Sequence, residues 1–152
     1  MRRILLVASL TALTAACAST DAGTPAPTAN NGYVYKYLGA SSALDYATTA
    51  WRAAITNLAS SGADSLAAEA PIDITYANAL GTFNDTLLSV RFPSPAEADV
   101  HGLVGVVTAV QGDLTALATG RGSTSQFEAD EATLQAAINI VQTDLSLATS
   151  TP

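Results

Sequence analysis

The sequence predicts an all-α protein: an antiparallel up-down four-helix bundle carried behind a signal peptide and a flexible tether. Three observations predict it. Apolar residues recur three and four positions apart in four successive stretches, the spacing that lines one face of an α-helix. Capping residues, prolines and glycines punctuate those stretches. Charged residues make up only 12% of the chain, while Ala, Thr, Ser and Leu abound, which favours helices packed closely through small side chains.

The N-terminus precedes the fold. Arg2 and Arg3 form a positive start, and residues 4–13 are an apolar run of about ten residues. That is too short to cross a bilayer, which needs roughly 20. Small residues follow and end at Cys17, the single cysteine of the chain. Charge, apolar core and small-residue cleavage site together read as a secretory signal over 1–16. Leu13-Thr14-Ala15-Ala16-Cys17 resembles the lipobox of bacterial lipoproteins, although Thr14 stands where Leu, Val or Ile is usual. The resemblance implies cleavage before Cys17, a diacylglycerol on its sulfur and often an acyl chain such as palmitate on its new amino group. More than one acyl chain anchors stably, because each buried methylene contributes about 0.8 kcal/mol. The expected location is therefore outside the cytoplasm, lipid-anchored to the bacterial cell membrane or outer membrane.

Cleavage removes two arginines and no acid, so the formal net charge of −7 becomes −9. Such a chain repels nucleic acid and anionic membrane surfaces. Membrane contact is expected through lipid on Cys17 and not through a basic face. With no second cysteine there is no intrachain disulfide and no cysteine metal site. Residues 17–32 read as a tether, since Ala and Pro are the largest apolar groups after Cys17 and cannot offset the entropy of ordering. Its r.m.s. reach is roughly 20 Å. The bundle domain is expected over 33–152.

Tyr33, Tyr35 and Tyr37 open that domain. In an extended chain all three face one side, either as a segment leading into the first helix or as an aromatic strip for a partner. The first helix is expected over 42–60, with Ser42 and Asp45 as a capping pair, Gly62 as its stop, and Leu44, Thr48, Trp51, Ile55 and Leu58 as its seam. The second has an open start. Asp64 can cap a first turn through Leu66, and Pro71 is then a kink, or Pro71 is itself the first helical residue. From Tyr76 the seam is regular through Leu80, Phe83, Leu87 and Val90, ending near Arg91. The third starts at Ser94-Pro95-Ala96-Glu97, read as a capping box with Pro at the first position. Val100, Leu103, Val107, Val110, Leu114 and Leu117 follow, and Gly120 ends it. The fourth is expected to open with Ser125 and Glu128 as another box, with Phe127, Leu134, Ile138, Val141, Leu145 and Ala148 as its seam. Short connections favour antiparallel neighbours.

No chemistry-bearing constellation emerges. His101, the only histidine, stands four residues after Glu97 and near Asp99, but a metal site wants a further ligand from another helix. The starts of the second and fourth helices fall at one end, bringing Glu69 and Asp73 towards Glu128, Asp130 and Glu131, with Arg121 as a nearby counter-charge. Oxygen clusters suit Ca²⁺, yet first-turn carboxylates also stabilise helices unaided. There is no Gly-x-Ser-x-Gly elbow and no phosphate loop. The sequence thus predicts no catalytic residue, no cofactor and no metal.

Beyond the lipobox, the Ala-rich composition, Trp51-x-x-Ala54-Ile55-x-x-Leu58 and the run Phe92-Pro93-Ser94-Pro95-Ala96-Glu97-Ala98-Asp99 look like small uncharacterised lipoproteins of actinobacteria and similar high-GC bacteria. That resemblance implies location and a helical fold, and no functional residue beyond Cys17. The expected function is a non-catalytic, lipid-anchored envelope bundle acting through protein-protein contacts. The alternative is a carrier or sensor of an apolar ligand between the helices, with Thr48 and Ala148 leaving room beside Trp51 and Phe127.

Overall fold

The computed structural model describes residues 32–147. The predicted signal peptide, Cys17, the tether up to Gly32 and Ala148 lie outside the described residues. The described chain is an all-α four-helix bundle: α1 (Gly32–Ser61), α2 (Leu66–Leu88), α3 (Ser94–Ala118) and α4 (Thr124–Asp144). Each helix packs on the next, α1 on α2, α2 on α3 and α3 on α4.

Most predicted seam positions are buried, while Thr48, Leu58, Val90 and Ile138 are half-buried. Leu44, Trp51 and Ile55 of α1 are buried, as are Tyr76, Leu80, Phe83 and Leu87 of α2 and Phe127, Leu134 and Val141 of α4. In α3, all six seam positions from Val100 to Leu117 are buried, joined by Ala96 one turn earlier. The valines of α3 sit comfortably because the three-four spacing aims them at two neighbours, α2 and α4. By length and composition α3 is the one described helix that could cross a membrane. Its place between those neighbours is that of a core helix.

The ends differ from expectation, each for a local reason. The first helix begins at Gly32 rather than Ser42. Its seam continues back from Leu44 through Ser41 to Tyr37, which is fully buried, so Ser42 and Asp45 lie mid-helix and cap nothing. The tyrosines are therefore not an extended strip. At helical spacing Tyr37 turns inward, Tyr35 turns outward at 74% exposure, and Tyr33 meets the Phe92 ring edge-on at 6.2 Å between centroids. Ser65, not Asp64, caps α2: its hydroxyl accepts from the Ala68 N–H at 3.3 Å. Pro71 lies inside α2. It removes the N–H that would bond the Ala67 carbonyl, and both residues are on the exposed side, where solvent can take that carbonyl. The second helix stops at Leu88, short of Arg91.

The box expected at Ser94 is displaced. Pro93 holds the N-cap position with an extended ψ of 151°, no side chain caps α3, and its carbonyl accepts from Ala96 and Glu97. Ser123 caps α4, accepting from the Gln126 N–H at 3.4 Å, so Ser125 and Glu128 do not form a box. The stops at Gly62 (φ +70°) and Gly120 (φ +69°) are as expected. Behind Gly62 the Ala63 N–H reaches the Leu58 carbonyl at 3.1 Å, the closing bond of a Schellman turn.

Candidate functional site

Around the middle of the bundle, α1, α2 and α4 meet through a polar-aromatic cluster. Trp51 stacks on Tyr76 and tilts against Phe127, each with centroids 5.3 Å apart. Its indole Nε1–H donates to Asp73 Oδ1 at 3.0 Å. Thr48 donates its hydroxyl hydrogen to the Leu44 carbonyl at 2.9 Å. Thr48 Oγ1 and the Tyr76 hydroxyl also share a hydrogen bond at 3.0 Å. Burial raises the Tyr76 phenol above its ordinary pKa, opposed by the bond to Thr48. Where room was anticipated beside Trp51 and Phe127, the Tyr76 ring lies against the indole on the α2 side; Ala148, the other residue of that expectation, lies outside the described residues.

Asp73 is only 1% exposed, and Glu69, one turn before it, is also buried. They are not members of a solvent-facing carboxylate cluster. Tracing the α2 seam back from Tyr76 by three and four reaches Asp73 and Glu69, so the periodicity that placed Leu80 and Phe83 inside also places these acids inside. Two other acids of that end have separate partners. Glu131 pairs with Arg52 of α1 at 2.7 Å. Asp130 accepts from Gln126 at 2.9 Å and also bonds Asp113 of α3. Burial first, and Asp130 second, raise the Asp113 carboxyl. Arg121 donates through Nε to Thr119 Oγ1 at 3.2 Å. Among the described residues, no three His, Cys, Asp or Glu side chains converge as a metal site.

His101 and Glu97 are exposed on α3 and line a groove of about 330 Å³ with Arg91 and the end of α2. Asp99 turns instead to Asp144 of α4, whose carboxyl is raised by a hydrogen bond between the two. Among the described residues, none from another helix joins His101 in a group that could hold a metal ion.

Two surface features remain. The outward face of α1 carries Tyr35, Leu38, Ser42 and Tyr46 at steps of three and four, hence on one side. Tyr46 is 79% exposed. In its 30 residues α1 has just three charges, Lys36, Asp45 and Arg52, and Arg52 is turned to α4. Beside that face, α1 and α2 diverge to leave an open groove of about 570 Å³ between Lys36–Leu44 and Ala79–Ser89. Comparison with protein-family models, curated proteins and solved structures finds no match for this chain.

Proposed function

We propose that the protein is a lipid-anchored helical bundle of the bacterial cell envelope that acts through protein contacts, with Cys17 as the lipid attachment site. The observation that carries this reading is the run from Arg2 through the apolar segment to Cys17. The α1 face supports the second half. In a chain of net charge −7, one helix presents Tyr35, Leu38 and Tyr46 outward, with Lys36 and Asp45 as the two exposed charges beside them. Tyrosine gives a large contact area at low entropic cost. The reading assigns no residue a catalytic role and requires no cofactor.

Metabolic labelling with a fatty acid in the original host tests the anchor. Label should enter the full chain and disappear with Cys17→Ser; label that survives the substitution ends the anchor assignment. A photo-crosslinking residue at Tyr46, against one at the exposed Gln135 of α4, tests the contact face. One discrete adduct from position 46 and none from 135 is expected. Equal or absent adducts at both, with the protein intact in the envelope, would remove the α1 face as the contact surface.

A further inference from the structure

The groove between α1 and α2 is divided along its length. At one end it is lined by Tyr35, Lys36 and Ser89; at the other, by Ala43, Leu44, Ala79 and Phe83. Antiparallel packing opposes Lys36 to Ser89 and Leu44 to Ala79. Rise per residue gives the groove a length of about 12–15 Å. Its volume falls in the range of small-ligand sites, about 300–1,000 Å³. The floor is formed by Leu44 and Phe83, both core residues, and the α1 wall by Gly39, Ala40 and Ala43. A Cβ added at Gly39 meets nothing within 4 Å.

The chemistry of the head end is narrow. Ser89 donates its hydroxyl hydrogen to the Thr86 carbonyl at 2.8 Å, and Thr86 donates to the Thr82 carbonyl at 2.9 Å. Neither offers a donor to a ligand. Lys36 and the Tyr35 phenol are left to do so, and Lys36 is the chain's single lysine. A cation at one end of an elongated apolar trough complements one anionic group on one linear hydrocarbon.

We propose that this groove binds a free fatty acid, with the chain along Ala43, Leu44, Ala79 and Phe83 and the carboxylate at Lys36. The site is independent of the anchor, so loss of Cys17 leaves it intact and the two proposals fail separately. It also differs in place from the room anticipated at Trp51.

The test is titration of the full chain carrying Cys17→Ser with dodecanoate below its micelle concentration, followed by native mass and calorimetry. One dodecanoate per chain is expected. Dodecyltrimethylammonium should bind at least roughly tenfold more weakly, and Lys36→Gln should weaken dodecanoate by roughly the same factor, the size of a lost charge-assisted hydrogen bond. Ala43→Leu and Gly39→Leu, which fill the trough from an open position, should abolish binding while the thermal midpoint stays within a few degrees. The proposal is overturned by absence of saturable binding, by equal affinity for both head groups, or by binding indifferent to Gly39→Leu. It is equally overturned by a dimeric mass that Gly39→Leu converts to monomer, which would make a second copy the occupant.

Discussion

Between α2 and α3 the helices approach through small and medium side chains; between α1 and α4 they are joined by a few long ones. In the first seam Gly81 sits where a Cβ would come within 3.0 Å of the Gln111 amide. Asn84 reaches across to Thr108 Oγ1 at 3.1 Å. In the second, no Cα of α1 lies within 8 Å of one in α4. The gap is bridged by Trp51 against Phe127, by Arg52 paired with Glu131, and by the Tyr37 hydroxyl donating to the Ile138 carbonyl at 3.4 Å. A seam built from many modest contacts distributes its stability. One built from a few posts concentrates it, and α1 is the helix whose attachment depends on single residues.

The most severe way to break that difference is Trp51→Ala. Removing a buried tryptophan costs about 3–5 kcal/mol. Here it takes away the stack on Tyr76, the contact with Phe127 and the partner of Asp73 together. The expected outcome is a lower urea midpoint with amide exchange in α1 accelerated ahead of that in α3. Leu103→Ala, at a fully buried α3 position, should cost about 2–5 kcal/mol and raise exchange across α2, α3 and α4 alike. If both variants loosen all four helices to the same degree, the two seams are energetically one.

A double-mutant cycle sharpens the same point. Asp73→Ala leaves the Trp51 N–H buried without its acceptor, at a cost of about 1–3 kcal/mol. Trp51→Phe leaves Asp73 without that donor, at similar cost. Replacing both, as Trp51→Phe with Asp73→Leu, removes donor and acceptor at once and should cost clearly less than the sum of the single changes. Additive losses by chemical denaturation would show that the 3.0 Å bond contributes no coupling.

The difference between the seams also explains which parts of the structure were legible in the sequence. Seams made of Leu, Val, Ile and Phe at three-four spacing were readable over α2, α3 and α4, because every position announces itself as apolar. The start of α1 was not, since Gly39 and Ser41 interrupt the pattern and Tyr37 lies a full seven residues before Leu44. Asp73 and Glu69 were misplaced for the same reason: charged residues on the seam register hide a face that the period alone would continue. Caps failed differently. Asp64 and Ser65, and Ser123 and Ser125, are adjacent or near-adjacent candidates of equal local merit. The choice between them is made where the helix must start for its seam to face the core. The anchor proposed at Cys17 rests on sequence chemistry alone.

Alkaline titration tests the α1 posts without mutation. Burial raises the phenols of Tyr37 and Tyr76 above 10.0, their ordinary value. A group whose folded pKa is raised contributes stability that is present below the unfolded value and lost as pH rises through the folded one. Stability should therefore hold up to about pH 10 and then fall, with tyrosinate absorbance from the two buried rings appearing together with loosening of α1. Tyr37→Phe should delay that loosening. If tyrosinate from both rings appears before pH 10 with helicity unchanged, the phenols are not the buried posts described.

The smallest effect concerns the α3–α4 seam, where like charges face each other. Asp113 and Asp130 approach across it, and burial with that neighbour raises the Asp113 carboxyl above 3.8. By the same sign rule, the pair's contribution is fully present below that ordinary value and is lost as pH rises through the raised one. Once Asp113 ionises, above its raised value, the like-charge approach to Asp130 works against the seam. Asp113→Asn removes one charge and supplies an amide donor to Asp130. Because both acids are half-buried and not enclosed, the gain is modest, about 0.3–0.5 kcal/mol at neutral pH. It should shrink as pH falls through the raised Asp113 value, where the wild-type pair holds a proton of its own. A gain that persists unchanged in acid would assign the effect to helix propensity in α3. A loss at neutral pH would mean that Asp113 is held by a favourable partner. Leu103 carries no charge, so salt that screens charge should narrow the Asp113→Asn difference and leave that of Leu103→Ala unchanged.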